Sequence, residues 1–134
     1  MITGIGVDMV RARRMDRWRD VPGLLERYFH PDELAVSLAK GYGASLSLAA
    51  RFAAKEAFGK ALGTGLAGIV LKDIMVINND RGRPEIRVFK TARTALDESG
   101  ANRAHLSITH EQDHAIAMVV LESSHEKGKA NEQG

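Results

Sequence analysis

Residues 44–65 read ASLSLAARFAAKEAFGKALGTG. Alanine and leucine dominate the stretch, both are strong helix formers, and no proline interrupts it. The run Gly63-Thr64-Gly65 stops it, so one long helix is expected over 44–62. At about 100° per residue, its apolar and alanine positions cover nearly the whole circumference. A helix of that kind is buried, and the rest of the chain is expected to wrap around it. Yet it carries Arg51, Lys55, Glu56 and Lys60. Glu56 and Lys60 lie one turn apart, on the side shared with Ala49, Phe52 and Ala53. Arg51 and Lys55 form a second stripe beside Leu48, Phe58 and Leu62. Charges in such surroundings are costly unless they are paired or bound to a ligand.

Before the helix, residues 2–10 alternate as a strand. Ile5, Val7 and Met9 share one face, and Gly4, Gly6 and Asp8 the other, so Asp8 projects from a face kept clear of side-chain bulk. Residues 11–20 read as a short arginine-rich helix, 24–29 as a second, and Pro31 opens a third. After the helix, 69–78 reads as a strand, the polar run 79–83 as a turn, and 84–89 as a paired strand. Residues 90–99 read as a helix ended by Gly100. Residues 104–109 and 115–121 form an antiparallel hairpin. The expectation is an α+β fold: one small domain over 1–122, its mainly antiparallel sheet packed on the long central helix. The polar, aperiodic 123–134 is expected to be a flexible tail.

With 44% hydrophobic residues the chain can build a core, but at 5% aromatics the packing falls to aliphatic side chains and alanine. There are no cysteines, which excludes disulfides and thiolate metal sites and fits a reducing cytoplasm. No run approaches the roughly 18–20 apolar residues of a membrane span, and the N-terminal segment lacks the basic leader of a signal peptide. The net charge of +2 is too mild to imply nucleic acid. Its distribution says more: Arg11, Arg13, Arg14, Arg17 and Arg19 crowd one segment. That is either a solvated helix face or a docking surface for an acidic macromolecule. A non-catalytic module that binds RNA through the same basic surface is the alternative class. Against it, the chain lacks interleaved aromatics and any recognised RNA-binding signature.

Glu56 and Lys60 have the spacing of a simple i,i+4 salt bridge, worth a few tenths of a kcal/mol. That does not explain three cations gathered about one carboxylate. The functional reading is that Glu56 ligates a hard cation while the cations receive phosphates. Magnesium takes one or two carboxylates plus water and phosphate oxygens, and Asp8 is a plausible second carboxylate. Gly63-Thr64-Gly65 is either a plain helix terminator or a place where the chain passes close to a bulky ligand. It is not a P-loop, and Gly4-x-Gly6 lacks the third glycine of a dinucleotide fingerprint. His105, His110 and His114 are not spaced for a compact metal site. Of the three, His110, at a strand end, is best placed to meet an anion.

In order along the chain, Gly4-Ile5-Gly6-Val7-Asp8, then Arg51-Phe52-Ala53-Ala54-Lys55-Glu56-Ala57 through Lys60 to Gly65, then Gly82-Arg83-Pro84, then Ser107-Ile108-Thr109-His110 resemble bacterial holo-acyl-carrier-protein synthases, a family of 4′-phosphopantetheinyl transferases. The resemblance runs from Met1 to Glu122. It implies the 4′-phosphopantetheinyl transferase fold and transfer of the phosphopantetheine arm of coenzyme A to a serine of an apo-acyl carrier protein, in fatty acid or polyketide biosynthesis. By resemblance, Asp8 and Glu56 hold magnesium, and Lys60 acts in catalysis at the diphosphate of coenzyme A. Arg51 and His110 engage the 3′-phosphate, Arg83 and Pro84 lie by the adenine, and Gly63 and Thr109 complete the coenzyme A site. Arg14 matches a carrier-docking position. Glu56, Glu33 or a metal-bound water stands open as acceptor of the serine proton. The family also implies a homotrimer with active sites at subunit interfaces, acting on a small acidic helical partner; with the composition above, the expectation is a cytoplasmic protein that engages neither nucleic acid nor membrane. This sequence departs from the family pattern at His30, where threonine is common, at Gly59, where serine is frequent, and at Thr109, which replaces a common serine.

Overall fold

The computed structural model describes residues 1–125. Along them run β1 (Ile2–Arg11), α1 (Ala12–Arg19), α2 (Leu24–Tyr28), α3 (Pro31–Leu38), α4 (Ala44–Leu62), β2 (Ile74–Asn78), β3 (Pro84–Val88), α5 (Lys90–Glu98), β4 (Arg103–Glu111) and β5 (His114–Glu122). The fold is α+β, and its strands pair antiparallel throughout: a three-stranded sheet in the order β1-β5-β4 and the separate hairpin β2-β3.

α4 has the bounds its composition predicts, and 14 of its residues are buried, from Ala44 to Ala61. It lies against the inner face of the three-stranded sheet, where Val10, Ala115, Ala117, Val119, Leu121 and Ala104 are closed off from solvent. Small alanines on both surfaces let helix and sheet approach closely, which is how a core with few aromatics reaches normal density. Trp18, Tyr28 and Phe52 form one aromatic cluster where α1 and α2 meet α4, with ring centroids 4.8–6.4 Å apart.

Two segments differ from the sequence reading. The strand expected over 69–78 begins only at Ile74, because Leu71–Asp73 form a 3₁₀ turn. That turn presents the Leu71 carbonyl inward, 3.0 Å from Nζ of Lys55. The last two strands extend further than expected, to Glu111 and from His114, so that a tight turn closes the hairpin with Gln112 at φ 56°. Of the expected tail, 126–134 lie outside the described residues. Ser123 and Ser124 are tied down, by bonds to the Met1 carbonyl and to the Asn102 side chain.

Candidate active site

β1 lies directly on the backbone of α4. A Cβ added at Gly4 would stand 1.9 Å from the Ala61 carbonyl oxygen, and one at Gly6 2.0 Å from that of Ala57. No side chain fits at either position, so glycine is required there by contact rather than by dihedral angle. The next residue on the same face is Asp8, which is thereby delivered to the last turns of the helix. Lys60 Nζ donates to Asp8 Oδ1 at 2.9 Å and to the Val7 carbonyl at 3.1 Å. The i,i+4 pair of Glu56 with Lys60 is replaced by this bond to the strand.

Glu56 sits one turn before Lys60. Burial pushes its carboxyl above the usual glutamate range, and the nearby Asp8 pushes it further, against the pull of Arg14 and Lys60. A second carboxylate that makes Glu56 costlier to ionise marks a site where a cation would be stabilising. Arg14 comes from α1, its guanidinium held 5.0 Å over the Phe52 ring and 5.2 Å over Trp18. Asp8, Glu56, Lys60 and Arg14 therefore make one group.

A second group lines a cleft of about 400 Å³ between α4, the β2-β3 hairpin and the end of β4. Lys40, Ser47, Arg51, Asn78, Pro84 and His110 face it. Arg51 is buried, its Nη1 donates to Ser47 Oγ at 2.6 Å, and its Nε is buried with no partner. Burial lowers its pKa, an effect that Glu33 opposes. A guanidinium that lines a cleft beside a histidine is suited to an anion.

The remaining sequence candidates fall elsewhere. Arg83 faces an adjoining pocket of about 210 Å³ with Asn79, Glu85 and His105. Gly63 ends α4 at φ 83°, bonded to the Lys60 carbonyl, the ordinary work of a helix-terminating glycine. Thr109 points to the outer face of β4, opposite His110. At 3.6 residues per turn, Glu56 and Lys60 stand roughly 140° and 180° around α4 from Arg51. The two groups thus occupy different sides of the helix.

Lys55 does not join the cations expected to meet phosphates. Its ammonium is fully buried and bonded to Glu33 Oε1 at 2.7 Å, to the Leu71 carbonyl and to the Ile74 carbonyl. All three of its donors are used. Glu33, considered as a proton acceptor, is equally committed: it also accepts from the backbone N–H of His30 and of Val76, each at 3.0 Å. His105 pairs with Glu122, and His114 with Asp113 and Arg11. Sequence reasoning missed Lys40, Ser47 and Asn78. Only Ser47 left a signal, standing four residues before Arg51 on the same helix stripe.

The family model of the 4′-phosphopantetheinyl transferase superfamily matches residues 4–119. The chain belongs to this superfamily. A holo-[acyl-carrier-protein] synthase of Treponema denticola is 55% identical over 91% of this chain and 99% of its own length. Among solved structures, the holo-[acyl-carrier-protein] synthase of Neisseria meningitidis matches with a TM-score of 0.81 at 36% identity, over 91% of this chain and 99% of that one. The synthase of Bacillus anthracis, solved in complex with CoA (3′,5′-ADP), matches with a TM-score of 0.77 at 38% identity, over 92% and 99%. The two groups on α4 are therefore to be read within a phosphopantetheinyl transferase fold.

Proposed function

We propose that the protein transfers the 4′-phosphopantetheine arm of coenzyme A to a serine of apo-acyl carrier protein, giving holo-acyl carrier protein and adenosine 3′,5′-bisphosphate. The observation that carries this reading is the Asp8–Lys60–Glu56 group, set on a buried helix in a chain similar throughout to holo-[acyl-carrier-protein] synthases.

In the reaction the serine oxygen bonds to the phosphorus that carries the pantetheine arm, and the bond from that phosphorus to the bridging oxygen of the diphosphate breaks. Phosphoryl transfer demands chiefly positioning and charge neutralisation. Lys60 supplies a cation to the diphosphate. Arg51 and His110 hold the 3′-phosphate. Pro84, with Arg83 beside it, borders the adenine, and Gly63 and Thr109 are carried into the coenzyme A site by resemblance. Asp8 and Glu56 would hold magnesium. Among the described residues no three His, Cys, Asp or Glu side chains cluster, so the protein offers two carboxylates and leaves the remaining positions to water and phosphate. Bound there, magnesium would offset the negative charge that develops on the diphosphate.

Arg14, with Arg13 and Arg17, lines a groove beside this group, and an acidic carrier protein would dock along it. We read the working unit as a homotrimer with sites between subunits. Two features support that: the two groups lie on different sides of α4, and the outer sheet face is apolar and exposed. Ile5, Val7 and Met9 of β1 adjoin Met118 of β5 there. A carrier of fatty acid or polyketide synthesis would be met in the cytoplasm. Among the described residues no helix is long and apolar enough to cross a membrane.

The test is mass spectrometry of an apo-acyl carrier protein after incubation with this protein, coenzyme A and magnesium, with a chelator control. A gain of one phosphopantetheine on serine, lost with the chelator, is expected. No gain with several different carriers would overturn the reading.

A further inference from the structure

Tyr42 is the one aromatic side chain with nothing to do in the fold. Phe29, Phe52 and Phe58 are buried, Trp18 and Tyr28 meet Phe52 edge-on, and Phe89 stacks with His30. The Tyr42 ring stands wholly in solvent, at 109% relative exposure, and makes no ring contact among the described residues. Its place in the chain is specific. It is the middle residue of the 3₁₀ turn Gly41–Gly43, and the residues bracketing that turn, Lys40 and Gly43, line the cleft that holds Arg51 and His110.

The turn is uncrowded. Gly41 has φ 58°, and a Cβ added there would meet nothing within 4 Å; one at Gly43 would meet only Lys40 Cβ, at 3.6 Å. Across the cleft stand Gly82, in the turn of the β2-β3 hairpin, and Pro84, the first residue of β3. The cleft thus has a cationic floor and, at its mouth, a flat proline ring on one side and an unengaged aromatic ring beside the other.

We propose that Tyr42 closes over the mouth of this cleft and stacks on the adenine ring of coenzyme A, with Pro84 against the opposite face. This rests on the reading that the cleft takes the adenosine end of coenzyme A. With the 3′-phosphate fixed at Arg51 and His110, one ribose separates it from the base, which sets the base at the mouth rather than the floor. Stacking on an aromatic face needs no hydrogen-bond partner. It also explains why a large ring is kept in water beside the cleft, between two glycines.

The experiment is calorimetric titration of the wild-type protein, Tyr42→Ala and Tyr42→Phe with adenosine 3′,5′-bisphosphate. Tyr42→Ala is expected to weaken binding about tenfold, the usual scale for loss of one base–aromatic stack, while Tyr42→Phe keeps near wild-type affinity. Since Tyr42 touches no core residue, the alanine variant should unfold at the wild-type temperature. An alanine variant within twofold of wild type would overturn stacking and leave the cleft assignment standing. So would a phenylalanine variant as weak as alanine, because the hydroxyl would then be the binding group. Failure of the wild-type protein to bind the bisphosphate at all would overturn the cleft assignment and the stacking together.

Discussion

Lys55 and Glu56 are neighbours in the chain with opposite surroundings. Lys55 is sealed in the core, and burial lowers its pKa while Glu33 holds its proton in place. Removing one partner of such a pair leaves an uncompensated buried charge. Lys55→Met should therefore cost about 3–5 kcal/mol in urea denaturation, and the double change with Glu33→Gln should recover part of the loss. An additive double variant would show that the two do not depend on each other. Glu56 is only half-buried and keeps an expensive carboxylate at the site. Its folded pKa is raised above the unfolded value, so the folded state binds its proton more tightly than the unfolded chain does. The stabilising contribution is present below the ordinary glutamate range and is lost as the pH rises through the raised value. Glu56→Gln should then raise the Tm of metal-free protein at neutral pH, by an increment that shrinks on acidification, while turnover falls on the order of 100-fold. A Tm difference that does not change with pH would contradict the linkage. At this scale the residue types of Asp8, Glu56 and Lys60 were legible from their positions on one strand face and one helix stripe. The engagement of Lys55 was not, because Glu33 stands 22 residues away and only folding brings it within reach.

Among the elements, β1 and α4 constrain each other most. Because the Gly6 position leaves only 2.0 Å from a Cβ to the Ala57 carbonyl, Gly6→Ala must push strand and helix apart. Overpacking of this kind costs about 1–3 kcal/mol or more. The same displacement moves Asp8 from Lys60 and Glu56, so turnover should fall together with Tm. A variant stable to heat yet inactive, or active yet unstable, would separate the two roles of the contact. α1 shows what an element-level pattern conceals. The five arginines crowded at the end of β1 and along α1 are divided by tertiary partners: Arg11 bonds to His114, Arg19 to Ser45, and Arg14 lies over two rings. Arg19 alone leaves the groove, which Arg11, Arg13, Arg14 and Arg17 line. A like-charge cluster in the sequence was legible as a surface, but its working subset was not, since the partners come from α4 and β5.

At the scale of the whole molecule, the inward face of β1 carries Gly4, Gly6 and Asp8 ahead of Val10, while Ile5, Val7 and Met9 point outward. That reverses the ordinary assignment of a half-buried strand, and an exposed apolar sheet face fits association with further copies. In a trimer whose sites draw Glu56 from one subunit and Arg51 from its neighbour, mixing inactive Glu56→Ala with inactive Arg51→Ala after dissociation should restore part of the activity. Mixed trimers without activity would place both residues in one subunit's site. Val7→Lys should also shift the protein toward monomer in sedimentation and lower turnover with it.

The sequence by itself determined the elements and the reaction class. Helix 44–62, its glycine stop, the strand alternation and the order of motifs depend on local propensity and spacing, which a chain carries before it folds. Tertiary structure alone decided how the charges of α4 are divided. Lys55 went to Glu33, Lys60 to Asp8 rather than to Glu56, and Arg51 to a cleft walled by residues from three other parts of the chain. The two lysine outcomes turn on which carboxylate or carbonyl lies within about 3 Å, and those distances, like the walls of the Arg51 cleft, exist only once the strands and the hairpin have closed around the helix.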